Sequence, residues 1–239
     1  MKGIILAGGF GTRLAPLTDI TNKHLLAIYD KQMILYPLQT LIDAGITEVM
    51  IVTNAEHVHL FHQLLGQGEL YGVEITYGIQ NLKGKGIPNA IQVAEPWSGN
   101  DNIAVILGDN IIEDNLKEAV ISFEQEKKIG KIFLKEVPDP ERFGIAEIKK
   151  KKIISLEEKP KKAKSNYAVT GIYFYSPQVW VFIRGLKLSE RGEYEITDVN
   201  RMMLHDGTLD HSFLKGVWID AGTPDSILEA AEWSQSSKI

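Results

Sequence analysis

The sequence predicts an α/β protein: a mixed, mostly parallel central sheet between helices, with a smaller antiparallel section. Three observations lead there. Through the first 130 residues, apolar runs rich in Ile and Val alternate with stretches of helical spacing. That is the pattern of parallel strands joined by crossover helices and covered on both faces. After about residue 130 the strand-like runs follow one another on short connections, as antiparallel strands do. Third, the glycine-rich turn L-A-G-G-F-G-T-R-L at residues 6–14 directly follows the first apolar run. Open α/β sheets bind ligands at the carboxyl ends of such strands.

In chain order, strands are predicted at residues 3–7, 49–53, 73–77 and 103–107, with helices over 33–44, 55–65 and 87–94 between them. Gly45 is a natural stop for the first helix. Further strands are predicted at 131–136, 145–148, 153–157 and 169–175. Lys149 to Lys152, flanked by Ile148 and Ile153, reads as a hairpin turn in water. Helices return at 177–183, with Pro177 in the favoured first turn, and at 198–205, with Thr197 as N-cap and Gly207 past the end. A last helix is predicted over 224–233, with Thr223 as its cap. No linker or repeat interrupts the chain. One domain over 1–239 is expected, with lobes of about 1–130 and 131–239.

Composition narrows the function. Net charge is −5, so general nucleic-acid binding is not expected and any positive field must be local. No apolar run of about 18 residues is present, so no membrane span is expected. Cysteine is absent, which excludes disulfides and thiolate metal sites. With no signal peptide visible at Met1 and Lys2, cytoplasmic residence is the expectation.

The glycine turn carries the first chemical signal. Gly8, Gly9 and Gly11 bring bare backbone N–H groups close to an anion, and Arg13 adds a planar cation suited to phosphate. The spacing G-G-x-G is neither the G-x-x-x-x-G-K-[ST] phosphate loop nor the G-x-G-x-x-G dinucleotide fingerprint. Asp109, in I-L-G-D-N, follows the strand at 103–107, and Asp220, in V-W-I-D-A-G-T, follows another apolar run. If the two strand ends adjoin, the two carboxylates suit Mg²⁺, which binds one or two carboxylates plus phosphates and waters. Lys23 lies in N-K-H-L-L. Glu158 and Lys159 leave a strand together, and Pro160 forces Lys159 out of helical geometry. Locally, Lys23, Lys159 and Arg191 also fit plain surface roles. His57, His59 and His62 crowd a predicted helix without a companion carboxylate cluster, and they are read as a solvated face.

Assembled in order, these segments resemble the sugar-phosphate nucleotidylyltransferases, and among them the thymidylyltransferase branch. The likeness spans nearly the whole chain. It rests on K-G-I-I-L-A-G-G-F-G-T-R-L-A-P-L-T, N-K-H-L-L-A-I-Y-D-K-Q-M-I, V-I-L-G-D-N, E-R-F-G-I-A, E-E-K-P, Y-A-V-T-G-I-Y-F-Y, R-G-E-Y-E-I-T-D-V-N and W-I-D-A-G-T. The resemblance implies a Rossmann-like three-layer sandwich. It implies Mg²⁺-dependent transfer of dTMP from dTTP to glucose-1-phosphate, giving dTDP-glucose and pyrophosphate. It assigns Leu6, Gly8, Gly9, Gly11, Thr12, Arg13, Gln80, Gly86 and Asp109 to the nucleotide. Gly144, Glu158, Lys159, Val169, Tyr173 and Arg191 fall to the sugar phosphate, and Asp109 and Asp220 to Mg²⁺. Arg13, Lys23 and Lys159 are the implied catalytic cations. A homo-oligomer is implied as well.

Five departures bear on this reading. Residues 81–90 read N-L-K-G-K-G-I-P-N-A where the family usually carries D-G-L-A. That leaves thymine and uracil both open as the base. His24 and Ala27 replace a common Gln and Pro, and Ala221 replaces a frequent Thr. The chain stops soon after its last helix, so feedback at the regulatory site of longer members is not expected. A non-catalytic nucleotide-sugar-binding subunit is the alternative of a different class. Retention of Arg13, Lys23, Asp109, Lys159 and Asp220 together favours the enzyme.

Overall fold

The computed structural model describes residues 1–80 and 86–237. The first apolar run forms β1 (Lys2–Leu6). A short hairpin of β2 (Ala27–Ile28) and β3 (Lys31–Gln32) leads to α1 (Leu35–Asp43), β4 (Glu48–Thr53), α2 (Val58–Leu65) and β5 (Glu74–Ile79). Then come α3 (Ile87–Gln92), α4 (Glu95–Ser98), β6 (Ile103–Leu107), β7 (Asn110–Ile112) and α5 (Lys117–Gln125). Four longer strands follow: β8 (Gly130–Glu136), β9 (Gly144–Lys149), β10 (Lys152–Glu158) and β11 (Tyr167–Tyr175). The last elements are α6 (Val179–Arg184), α7 (Ile196–His205), β12 (Leu209–Phe213), β13 (Trp218–Asp220) and α8 (Pro224–Ser236).

Among the described residues, nine strands share one sheet in the order β10-β9-β11-β6-β1-β4-β5, with β8 paired to β11 and to β12. The block β6-β1-β4-β5 is parallel throughout. β11 then runs antiparallel against β6, β8 and β9. The antiparallel section therefore extends the parallel sheet rather than standing apart from it. Side chains alternate across this sheet with the period of two that a strand imposes. Ile4, Leu6, Val105 and Tyr173 join one core with Ile91, Trp180 and Val199 from the helices. Ile5, Ala7, Ile106 and Ile172 join the other with Leu38, Phe61 and Phe123. Helices on both faces make the three layers.

Several helix boundaries differ from the sequence expectation, and local hydrogen bonds explain them. α1 starts at Leu35, not residue 33, because the Met33 and Ile34 N–H groups donate to the Leu26 and His24 carbonyls. α2 starts at Val58 because the Asn54 side chain accepts from the His57 N–H and holds a turn there. α6 starts two residues late, at Val179, and Pro177 lies ahead of it. Thr197 is not a cap: α7 begins at Ile196, and the buried Thr197 hydroxyl donates to Glu158 at 2.5 Å. Thr223 does cap α8, through a reciprocal capping box with Ser226. Between β9 and β10, the exposed Lys150 and Lys151 take φ of 50° and 62°, as a tight hairpin requires.

Candidate active site

At the end of β1 the chain opens into the glycine turn. Gly11 has φ +65°, and a Cβ there would meet the Lys23 side chain at 2.9 Å. Glycine alone adopts that conformation freely and leaves that space. Behind the turn, the buried Asn22 amide donates to the Ala7 carbonyl at 3.0 Å and accepts from the His24 N–H at 3.0 Å. These bonds fold Lys23–Leu25 into a single 3₁₀ turn, which aims the Lys23 ammonium at Asp109 in a close ion pair. The cleft in front holds about 700 Å³. Leu6, Gly8, Gly9, Gly11, Thr12, Lys23, Gln80, Gly86 and Asp109 line it, with Phe10, His24, Ile87, Ala90, Leu107 and Glu193. Residues 81–85, with Lys83 and Lys85 of the departing loop, lie outside the described residues.

Two three-residue strands bring the carboxylates together. β13 lies antiparallel on β7 with Asp220 opposite Asn110, and the Ala221 N–H donates to the Asp109 carbonyl at 2.9 Å. Burial is the largest single influence and pushes the Asp109 carboxyl up, but the Lys23 and His24 charges and the hydrogen bonds from Lys23 and Asn110 together outweigh it and hold Asp109 well below the usual carboxylate range. Burial and the Asp109 charge push Asp220 up to about 6, against the pull of Lys23, Arg13 and Arg142. Two facing carboxylates, one of them disfavoured as an anion, form a hard-oxygen pair that a divalent cation would relieve. Among the described residues no group of three His, Asp or Glu side chains could hold a metal. Phosphates and waters would therefore complete the coordination of any ion here. Arg13 faces the pair: a Cβ on Gly222 would lie 2.9 Å from its Nη2 and 3.3 Å from Asp220 Oδ1.

Asn110, to which local sequence assigns no role, ties this site to the sheet. Its Oδ1 accepts from the Gly171 N–H at 3.0 Å and from Trp218 Nε1 at 2.7 Å, and its Nδ2 donates to Asp109 Oδ1 at 3.1 Å. The Asn110 amide of β7 thus joins β11 and β13 beside the acidic pair.

A second cluster forms where β9, β10 and β11 meet. Gly144 and Glu158 are register partners, and a Cβ on Gly144 would sit 3.2 Å from Glu158 Oε2 and 3.9 Å from Val169 Cβ. The Arg191 guanidinium lies 3.6 Å from Glu158, 3.5 Å from Glu195 and 3.3 Å from Glu193. Tyr173 is buried between the two clusters. Burial, with the charges of Glu158, Asp109 and Asp220, pushes its phenol far up, so it stays neutral. Lys159 is exposed in the left-handed region at φ +41°, and its N–H donates to the Phe143 carbonyl at 3.0 Å. The three histidines divide: His59 and His62 lie exposed on α2, His62 packing on Tyr77 with ring centroids 5.5 Å apart, whereas His57 precedes the helix, half-buried, with its Nδ1 3.5 Å from the Asn22 amide behind the glycine turn, and so is not part of a solvated face.

His24, fully enclosed, gives a measurable signature. Burial and the Lys23 charge push its imidazole down to about 3 from an ordinary 6.5. The unfolded chain then binds a proton that the folded chain refuses, so stability falls as pH drops from 6.5 toward 3. The slope reaches about 1.4 kcal/mol per pH unit. The raised Asp220 acts in the opposite sense over the same window, so the measure is a difference: in metal-free buffer the Tm of His24→Gln relative to wild type should rise as pH falls from 7 to 5. Parallel curves for the two proteins would contradict the assignment.

Comparison with known proteins places this geometry in context. The family model described as nucleotidyl transferase matches residues 2–237. The glucose-1-phosphate thymidylyltransferase of Neisseria meningitidis is 43% identical over 99% of this chain and 83% of its own length. That of Mycolicibacterium smegmatis is 44% identical over 100% of this chain and 84% of its own. A crystal structure from Bacillus anthracis, provisionally named a glucose-1-phosphate thymidylyltransferase and solved with sucrose, superposes with a TM-score of 0.94. Its sequence identity is 47%, covering 98% of this chain and 95% of that one. A UDP-glucose pyrophosphorylase solved with UDP-glucose superposes at 0.87 with 25% identity, covering 99% and 98%.

Proposed function

From the premise that this chain belongs to the nucleotidyl transferase family, with the glucose-1-phosphate thymidylyltransferases, we propose that it transfers dTMP from dTTP to glucose-1-phosphate. The products are dTDP-glucose and pyrophosphate. The observation that carries the reading is the position of Asp109 and Asp220, between the glycine-turn cleft and the Glu158 cluster. Two anionic substrates approached from those two sides would meet over that pair.

In the reaction, an oxygen of the sugar phosphate attacks the α-phosphorus in line. A new P–O bond forms, the bond to the β-phosphate bridge breaks, and pyrophosphate leaves with the electron pair. The attacking phosphate is already ionised, so no side-chain base is required. The task is alignment and charge neutralisation. The glycine turn offers backbone N–H groups to the triphosphate, and Arg13 and Lys23 offset its charge. Gln80 and Gly86 flank the base. Glu158 accepts from sugar hydroxyls, beside Gly144 and Val169, with Tyr173 beneath. Lys159 and Arg191 meet the sugar phosphate. Asp109 and Asp220 would hold Mg²⁺, which supplies charge neutralisation at the reacting phosphates. In this reading residues 1–130 serve the nucleotide and 131–239 the sugar phosphate, in a cytoplasmic homo-oligomer. Among the described residues no helix is long and apolar enough to cross a membrane.

The test is pyrophosphate release with Mg²⁺ and glucose-1-phosphate, comparing dTTP with UTP, ATP, CTP and GTP. Preference for dTTP is expected. Preference for UTP would keep the chemistry and move the base assignment to the segment after Gln80. No release with any nucleotide or any hexose-1-phosphate would overturn the reading in favour of a binding subunit.

A further inference from the structure

The sugar-phosphate side poses an electrostatic problem. Arg191 is already surrounded by Glu158, Glu193 and Glu195, at 3.3–3.6 Å. To take a phosphate it must leave three carboxylates, and an arriving anion meets a locally negative field. Lys159 alone is a modest counterweight for a dianion.

A further cation lies on the same side. Phe143 and Trp218 pack edge to face with centroids 5.2 Å apart, and the Arg142 guanidinium rests on the Phe143 ring at 5.2 Å. Trp218 is two residues before Asp220 on β13, and its indole donates to Asn110 beside Asp109. The Phe143 carbonyl accepts from the Lys159 backbone N–H, which places that residue beside it. Arg142 and Lys159 thus flank one aromatic residue that packs on the strand carrying Asp220. The ion pair of Arg142 is with Asp139, at 2.6 Å, with both side chains over 40% exposed. Exposed pairs of this kind are weak, so the guanidinium is cheaply redirected. A planar fork stacked on an aromatic face is well held to grip two phosphate oxygens.

We propose that Arg142 is a phosphate-binding residue, which leaves Asp139 to grip the sugar phosphate together with Lys159. This rests on the nucleotidyl-transfer reading above. Loss of one charge-assisted contact is worth about tenfold or more in affinity. The experiment is steady-state kinetics of Arg142→Ala, Arg142→Lys and Asp139→Ala, with each substrate varied in turn. Arg142→Ala should raise KM for glucose-1-phosphate about tenfold or more while KM for dTTP stays within twofold. Arg142→Lys should fall between, and Asp139→Ala should not raise KM for glucose-1-phosphate. The rise of that KM with added KCl should be shallower in Arg142→Ala. Equal damage to both KM values with a lowered Tm and an unchanged salt slope would instead mark Arg142 as a prop for the Phe143–Trp218 stack, overturning the proposal. So would unchanged kinetics in an otherwise active enzyme. A wild-type protein that turns over neither substrate would overturn the underlying reading, and this inference with it.

Discussion

Asp109→Asn should lower the rate of pyrophosphate release by about 10²-fold or more. The substitution keeps the shape of the side chain and removes its charge. In the folded protein that charge is secured by the Lys23 ion pair and the Asn110 amide. Removing it would cost the site one of two carboxylates available to Mg²⁺ and leave the Lys23 ammonium without its anion. The loss should fall on kcat and persist at saturating dTTP, since the charge matters most as the reacting phosphates change bonding. A thermal melt on the same sample separates this from unfolding. Undiminished Mg²⁺-dependent activity in a folded variant would remove Asp109 from the metal site.

Gly86→Ala should be nearly as damaging, for a reason of backbone geometry. Gly86 sits at φ 112° and ψ 160°, a region essentially closed to residues with a Cβ. A Cβ there would also meet the Tyr194 carbonyl oxygen at 2.0 Å. The strain alone is of order 1–3 kcal/mol. Tyr194 lies in the segment that carries Arg191, Glu193 and Glu195, so relief of the clash displaces groups on both sides of the cleft. The expected result is a loss in kcat/KM of about tenfold to 10²-fold, since about 1.4 kcal/mol corresponds to a factor of ten. Gly99→Ala is the control, because Gly99 also has positive φ (59°) but open space around it. If the two variants behave alike, backbone strain explains the loss and the Tyr194 contact does not.

These two positions also show what a sequence can and cannot reveal. The glycine turn, Lys23 and Asp109 are legible because each sits within a contiguous run that also fixes its local structure. β1 and β6 are buried on both faces, so their apolar runs are unmistakable and their carboxyl ends locate the cleft. Asp220 was legible as a residue but not as a neighbour of Asp109. β7 and β13 are three residues each, too short for any periodicity, and their register exists only in the folded chain. Thr197 misled because Ser and Thr before an apolar run usually cap helices, whereas here its hydroxyl turns inward to Glu158. Asn110 carried no signal beyond its place in G-D-N, since two of its three partners, Gly171 and Trp218, lie on distant strands. The carboxylates around Arg191 and the contact of Gly86 with Tyr194 depend likewise on tertiary placement, which local pattern does not encode.

The shared ladder of β11 and β6 has a mechanical consequence. Tyr173 pairs with Val105 and Phe174 with Ala104, so the strand behind the sugar-phosphate cluster is hydrogen-bonded to the parallel block that positions the nucleotide cleft. Rotation of one half against the other would tear that seam along the middle of the sheet. In the proposed reaction, the spacing between the two substrates would therefore be set once, when the chain folds. Any tightening around bound ligands must come from segments outside the ladder, such as the glycine turn and the stretch through Tyr194.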